Sequence, residues 1–317
     1  MVDKTTPNDA QSDSPVPERR IDAAATSTGL TIQPFFHDGT GTWSYVVSRG
    51  RDAVVIDPVL DYDPRSATVA TDSARQLLAY VGKRDLHVHR ILETHAHADH
   101  LSAAAFLRAR TSAPVAIGAG IRSVQAHFAE IFALTSDDPA LTGAFETLLA
   151  DGDVIEAGAL RIEVMATPGH TADSLSYRIE GNVWVGDTLF APDIGTGRCD
   201  FPGGSVEQLY ASIQRYYALP DETTLWLCHD YPPVERERRA CVSVGESRRG
   251  NRLLAGDTAL EAFCEARHAR DAALPAPTLL YPSLQVNIRG GKLPAVADNG
   301  RRYLHTPLHI KAPADGL

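Results

Sequence analysis

The feature that most constrains this 317-residue sequence is the segment 94–100, which crowds three histidines and an aspartate into seven residues. It directly follows a strand-like run, 88–93, and precedes an alanine-rich stretch, 101–109, so it is expected at a strand-to-helix turn. Imidazole and carboxylate are common protein ligands of zinc and iron. The segment therefore predicts a metal site built on a rigid sheet edge, and its spacing allows it to serve two adjacent metals.

Further histidine and aspartate residues fall where other predicted strands end. They are His170 after the run 160–165, Asp187 after the run 183–185, and His229 after the run 224–228. Side chains at strand ends are held by the sheet and can converge on one point from distant parts of the chain. We therefore expect these residues to join the cluster around His95.

The order of the predicted elements suggests two similar halves, each with strands followed by helices. Two such halves with their helices outside predict an α/β protein with an αββα sandwich. The expected organisation is a disordered tail over 1–30, a catalytic domain over 31–255, and a C-terminal helix and extension over 256–317 packed on the same domain. Residues 121–149 read as a broken helical insertion, and 284–288 as a strand.

The composition and net charge of the chain argue against some classes of binding partner. The net charge of -10 and the pI near 5.6 argue against nucleic acid, which requires concentrated lysine and arginine. The sequence contains no apolar run long enough to span a bilayer, so no membrane partner is expected. The four cysteines form no C-x-x-C pair, which predicts reduced thiols and a cytoplasmic location. A homodimer is left open.

Four motifs in order resemble the metallo-β-lactamase superfamily: Thr-His95-Ala-His97-Ala-Asp99-His100, Thr-Pro-Gly-His170-Thr, Gly-Asp187-Thr-Leu-Phe and Cys-His229-Asp-Tyr231. This resemblance covers roughly residues 32–251 and implies that superfamily's αββα fold. Within the superfamily the chain looks most like the persulfide dioxygenases, also called sulfur dioxygenases, because of Gly197-Arg198-Cys199-Asp200-Phe201 and the segment 274–289.

The resemblance implies the chemistry and its ligands. In that family one Fe(II) is bound by residues that match His95, His170 and Asp187 here. Glutathione persulfide is oxidised there with O₂ and water to sulfite and glutathione, in sulfide detoxification. By the same implication, a further group orients the ligands and waters around the iron; it comprises His97, Asp99, His100 and His229.

Two other functions remain open on the sequence alone. The same further group also fits a second metal, as in a dinuclear zinc thioesterase of the glyoxalase II type with Asp187 bridging. The motif around Arg198 favours the dioxygenase, as does the lack of a clear separate helical domain after the core. A third hypothesis, from another class, is a non-enzymatic metal or persulfide sensor.

A binding site for glutathione needs a fixed cation and hydrogen-bond donors, because glutathione carries carboxylates. Arg198 can pair with a carboxylate, and Tyr231 can donate a hydrogen bond. The alternative for Arg198 is a structural ion pair with Asp193 or Asp200, and Tyr231 could equally be a packing residue.

Two further side chains near these motifs each allow two interpretations. Cys199 beside Arg198 reads either as a redox-sensitive thiol or as a small packed side chain. Asp57, at the end of a predicted strand, reads equally as a buttress of the metal loop or as a strand-end cap.

Overall fold

The computed structural model describes residues 24–25, 29–135, 138–308 and 310. The strands are, in chain order, β1 (Ala24–Ala25), β2 (Leu30–His37), β3 (Thr42–Arg49), β4 (Asp52–Ile56), β5 (Val59–Leu60), β6 (Tyr62–Asp63), β7 (Thr68–Val69), β8 (His87–Leu92), β9 (Leu101–Ser102), β10 (Val115–Gly118), β11 (Thr147–Leu149), β12 (Val154–Ala157), β13 (Leu160–Ala166), β14 (Leu175–Ile179), β15 (Asn182–Trp184), β16 (Thr224–Trp226) and β17 (Cys241–Ser243). The helices are α1 (Asp72–Lys83), α2 (Ala104–Thr111), α3 (Ile121–Ile131), α4 (Pro139–Thr142), α5 (Val206–Tyr217), α6 (Val244–Gly250), α7 (Leu260–Ala273) and α8 (Leu280–Asn287), and Gly186–Thr188 forms a 3-10 turn.

Two large sheets form the body of the described chain. The first has the strand order β1-β2-β3-β4-β8-β10-β11, and the second has the order β12-β13-β14-β15-β16-β17. Strands β4, β8 and β10 run parallel in the first sheet, and β15 and β16 run parallel in the second. Because parallel strands end at the same edge, the loops that follow them are brought together there.

The core lies between the two sheets and is built around large aromatic side chains from both. Trp184 and Trp226 stack with ring centroids 6.2 Å apart, and the ring of Tyr45 from β3 meets Trp226 edge-on at 5.6 Å. These three side chains belong to one buried cluster that draws on both sheets. Burying each stabilises the fold by roughly 1.5–3 kcal/mol, so this cluster holds the sheets face to face.

Helices cover the outer face of each sheet. Leu77 of α1 and Leu107 of α2 are buried against the first sheet. Leu209 of α5 and Phe263 of α7 are buried against the second. The predicted αββα sandwich is therefore confirmed, because each sheet has one face in the shared core and the other under helices.

Several predicted elements match and three need correction. The strand-like runs 160–165 and 183–185 lie in or next to β13 and β15, and the run 88–93 contains most of β8. The strand predicted at 284–288 was wrong: residues 284–287 belong to helix α8, which Ile288 caps, and Leu284 and Ile288, four residues apart, lie in the same buried cluster as Phe128 of α3.

The other two corrections concern element boundaries. The helix predicted from Leu101 begins three residues later, after the short strand β9 that pairs with β5. The predicted helical insertion 121–149 contains α3 and α4, but it ends in β11, which adds a parallel edge strand to the first sheet. Residues 147–149 form a strand because they pair with β10, although the residues before them are helical.

The ends of the chain are described only in part. Most of the tail predicted over 1–30 lies outside the described residues, although β1 pairs with β2, which begins at Leu30. At the other end, α7 packs against α5, and α8 packs against β9. None of the helices in the described part of the chain combines the length and the apolar character that a bilayer crossing requires.

Candidate metal centre

Three predicted ligands meet at the edge where the strands end. His95 follows β8, His170 follows β13, and Asp187 lies in the 3-10 turn after β15. One ligand atom from each lies within 4.8 Å of the other two, and all three residues are buried. Asp187 Oδ2 is 4.0 Å from His95 Nε2 and 3.7 Å from His170 Nε2. The structure thus brings together the three residues to which the family resemblance assigned the iron.

The backbone around Asp187 requires glycine on both sides of the turn. Gly186 has a φ of +54°, a conformation that side chains disfavour, and an added Cβ would lie 2.8 Å from the hydroxyl of Thr94. A Cβ on Gly197 would lie 1.9 Å from the carbonyl oxygen of Asp187. These close approaches let the turn pack directly against its neighbours and fix where the carboxylate lies.

The donor atoms of this trio suit a divalent cation. His170 Nδ1 donates to the carbonyl of Arg198 at 2.7 Å, which leaves the Nε2 lone pair free. Among the described residues, His95 Nε2 and Asp187 Oδ1 are buried and have no hydrogen-bond partner. Burial and the nearby His97 hold the pKa of His95 well below its ordinary value, so its imidazole stays neutral. Two imidazole nitrogens and a carboxylate with free lone pairs fit iron or zinc.

A second group of potential ligands lies beside the first. It comprises His97, Asp99, His100 and His229, and these residues offer ligand atoms within 4.8 Å of one another. His229 Nε2 is 3.2 Å from Asp99 Oδ2. It is also 3.3 Å from Asp187 Oδ1, without the geometry of a hydrogen bond, so Asp187 stands between the two groups. The geometry therefore accommodates either one metal with ordered neighbours or two metals.

His97 is held from behind by two buried carboxylates. Its Nε2 lies 3.1 Å from Asp57 Oδ1 and 3.4 Å from Glu93 Oε2. Burial alone would lower the pKa of His97, but the carboxylates outweigh it and the pKa stands well above its ordinary value. Asp57 also accepts hydrogen bonds from the backbone N–H of Thr94 at 2.7 Å and from its hydroxyl at 2.9 Å. Asp57 is thus placed as a buttress of the metal loop, the segment 94–100.

Two further side chains that the sequence did not single out fix the metal loop. Asp173 accepts a hydrogen bond from the N–H of Ala96 at 2.8 Å. Asn287 of α8 donates to the carbonyls of His97 and His100 at 2.7 and 2.8 Å, and its own carbonyl accepts from Ser102 N–H at 2.8 Å. Glu93 was missed as well, although its position four residues before His97 was visible in the sequence. Asn287 could not be found by spacing, because its partners are about 190 residues away.

The predicted substrate residues both border the site. Arg198 forms the ion pair with Asp200 that the sequence left open, through two hydrogen bonds of 2.6 Å, and it donates a third at 2.7 Å to the carbonyl of Pro275. The ring of Tyr231 stacks on His229 at 5.7 Å, and its hydroxyl donates to Asp99 Oδ2 at 3.4 Å. Tyr231 is 49% exposed, which leaves its face open to a ligand.

Two cysteines near the site differ in position. Burial raises the pKa of Cys199 to about 12, so its thiol is protonated, as expected of a packed side chain rather than a reactive one. Cys228, which the sequence reading passed over, offers its sulfur within 4.8 Å of ligand atoms of Asp187 and His229. It is buried, and burial raises its pKa well above the ordinary value.

A cavity of about 880 Å³ opens onto this centre. It is lined by His170, Asp187 and Tyr231 and by residues from α7 and the segment that follows it. Its size lies within the range of pockets that bury small organic ligands, roughly 300–1,000 Å³. The candidate metal centre is therefore reachable by a ligand much larger than water.

The chain is similar to known proteins both in sequence and in structure. Residues 37–229 match the Metallo-beta-lactamase superfamily. A beta-lactamase hydrolase-like protein of Xylella fastidiosa is 45% identical over 88% of this chain, which spans only 64% of that protein's length. Glyoxylase B2 of Dictyostelium discoideum is 39% identical over 88% of this chain and 97% of that protein.

Two further similar proteins, one compared by sequence and one by structure, carry the name ETHE1. The mitochondrial persulfide dioxygenase ETHE1 of Homo sapiens is 30% identical over 66% of this chain and 74% of that protein. Among solved structures, the crystal structure of ETHE1 from Myxococcus xanthus superposes with a TM-score of 0.67 at 31% identity, over 82% of this chain and 99% of that one. Both sequence and fold thus place the chain among metal-site proteins of one superfamily.

Proposed function

Because this chain belongs to the metallo-beta-lactamase superfamily, we propose that it is a persulfide dioxygenase with one Fe(II) held by His95, His170 and Asp187. The observation that carries the proposal is the buried trio itself, in which two imidazole nitrogens and a carboxylate face one another within 4.8 Å and open onto a large cavity. The likeness to proteins named persulfide dioxygenase or ETHE1 supports the same reaction.

The proposed reaction is the oxidation of glutathione persulfide by O₂ and water. Glutathione persulfide, O₂ and H₂O yield glutathione and sulfurous acid, which ionises to sulfite, so that atoms and electrons balance. When bound, Fe(II) supplies the redox capacity and the open ligand positions that this oxidation needs, and zinc does not change its oxidation state. The protein's own residues bind and orient the reactants around it.

Hydrogen bonds from the chain set the orientation of the proposed ligands. The carbonyl of Arg198 holds His170 with its Nε2 lone pair toward Asp187. His229 and Tyr231 stack beside the trio, and both reach Asp99. The hydroxyl of Tyr231, which lines the cavity, can donate a hydrogen bond beside the centre, and the buried ring of His229 supports the ring of Tyr231 from behind.

A second candidate function is a dinuclear zinc hydrolase that cleaves thioesters. The observation that favours it is the additional group around His97 and His229, whose ligand atoms lie within 4.8 Å of one another and adjoin Asp187. The match to a protein named glyoxylase B2 supports the same alternative. The two functions differ in the number and kind of metal and in the need for O₂.

The proposal is tested by O₂ uptake and sulfite formation in the iron-loaded protein supplied with glutathione persulfide. We expect uptake and sulfite in equal amounts, and no turnover of a glutathione thioester. Absence of O₂ uptake by protein that contains iron would reject the dioxygenase, and thioester turnover by zinc-loaded protein would support the alternative.

We also propose that the enzyme works in the cytoplasm, which the four unpaired cysteines support.

A further inference from the structure

Part of the cavity lining, here called the arginine wall, is formed by arginine side chains. Arg198, Arg267 and Arg270 all line the cavity. The lining also includes Asp99 and Asp187, whose carboxylates belong to the candidate metal centre. An anionic part of a ligand in this cavity is therefore expected to lie against the arginine wall.

Two of the three arginines are already committed to bonds within the protein. Arg198 is bonded to Asp200 and to the carbonyl of Pro275. Arg267 is 1% exposed; it donates to Asp271 at 2.6 Å and to the carbonyl of Thr196 at 3.2 Å. Bonds of this kind hold the wall together, and they leave these guanidinium groups little capacity for a ligand.

Arg270 is different. It lies three residues after Arg267, on the same side of α7, and it is half-buried. It makes no hydrogen bond or ion pair with any residue in the described part of the chain, whereas the nearest carboxylate in sequence, Asp271, is taken by Arg267 and by the N–H of Cys199 at 3.0 Å. A half-buried cation without a protein partner in a ligand cavity is a candidate anchor for an anion.

The charges around Arg270 agree with a role as an anchor for an anion. Burial and, after it, the neighbouring cations Arg252 and Arg267 lower the pKa of Arg270, against an opposing effect of Asp271. A guanidinium group also matches a carboxylate geometrically, because two N–H groups can bond to its two oxygens at once. The chemistry of the wall thus points to a carboxylate rather than to a neutral group.

We propose that Arg270 binds a carboxylate of the persulfide's carrier, so that the cavity selects anionic peptide thiols such as glutathione over neutral thiols. The inference rests on the proposed function for the identity of the reacting sulfur, but the carboxylate contact itself does not depend on it. Arg270 is then a specificity-determining residue supplied by the C-terminal helix α7, in the cavity that the ligands His170 and Asp187 also line.

The test compares Arg270→Met, which keeps most of the side chain's length, with Arg122→Met, which removes an exposed arginine of α3 outside the cavity. For the iron-loaded protein, Arg270→Met is expected to raise the KM for glutathione persulfide roughly 10- to 100-fold with little change in kcat. The persulfide of glutathione diethyl ester, which lacks both carboxylates, should show the same KM in the wild type and in this variant. Arg270→Lys should recover part of the loss, because it restores the charge without the paired bonds.

A binding readout separates this inference from the proposed function. Calorimetric titration of the iron-loaded protein with reduced glutathione should give a Kd that Arg270→Met weakens by a similar factor and that Arg122→Met leaves unchanged. If the wild type binds glutathione through Arg270 but oxidises no persulfide, the proposed function fails and the carboxylate site stands. If Arg270→Met binds glutathione as the wild type does, or if the wild type binds none, the carboxylate site is overturned.

Discussion

Asn287 connects helix α8 to the metal loop, so the substitution Asn287→Ala tests whether that contact positions the centre. The side chain makes three hydrogen bonds of 2.7–2.8 Å and is 5% exposed. Truncation leaves two carbonyls and one N–H buried without a partner, at about 1–3 kcal/mol for each group. Because water entering the vacated space can replace part of these bonds, we expect the free energy of unfolding to fall by about 3–6 kcal/mol, out of the roughly 5–15 kcal/mol typical of a domain.

Urea unfolding of the metal-free protein measures this loss, and competition with a chromophoric chelator measures metal affinity. The matched control is Asn251→Ala, since Asn251 is 3% exposed and also makes three hydrogen bonds, none of them to the metal loop. Both variants should lose stability, but only Asn287→Ala should bind metal roughly 10- to 100-fold more weakly. Equal metal affinity in the two variants would refute the reasoning.

Three further predictions follow from the site and its surroundings. Gly197→Ala sets a Cβ 1.9 Å from the carbonyl of Asp187, so the metal content and the free energy of unfolding should both fall. The control Gly82→Ala, in open space on α1, should raise the free energy of unfolding by about 0.5–1 kcal/mol. Equal metal content in the two variants would contradict this prediction. Asp187→Ala should keep the circular dichroism spectrum of the wild type but lose bound iron and O₂ uptake. If the variant still binds the persulfide and the wild type shows no turnover, the result would favour the non-enzymatic sensor. The hydrogen bond from Arg198 lowers the pKa of Asp200, so this carboxylate stabilises the fold above its unfolded value of 3.8, and the stabilisation is lost as the pH falls through the lower folded value. The difference in urea midpoint between the wild type and Asp200→Asn should therefore be present near neutral pH and shrink at strongly acidic pH; a pH-independent difference would contradict it.

The sequence predicted the sandwich and the residues that meet in it because both depend on strong local patterns. Strand-like runs that end in histidine or aspartate mark the edge of a sheet, and the chain brings His95, His170 and Asp187 to that edge. The helix α5 also agrees with a local pattern, since its apolar residues recur at the helical period, and in the structure Ser205 caps its first turn.

What the sequence could not reveal depends on contacts between distant segments. The segment around Leu284 contains valine and isoleucine and resembles a strand, but packing against α3 makes it a helix. That helix then places Asn287 on the metal loop, a role with no local signal. Likewise, only the folded structure shows that Arg198 is occupied by Asp200 and that Arg270 is free of any described partner.

The most direct test of the central claim is the metal content of the protein purified without oxygen, determined by elemental analysis and compared with that of Asp187→Ala. Near-equimolar iron with negligible zinc in the wild type, and little iron in the variant, is the result expected for a single iron held by His95, His170 and Asp187. Two equivalents of zinc per chain, or full iron content in Asp187→Ala, would contradict it.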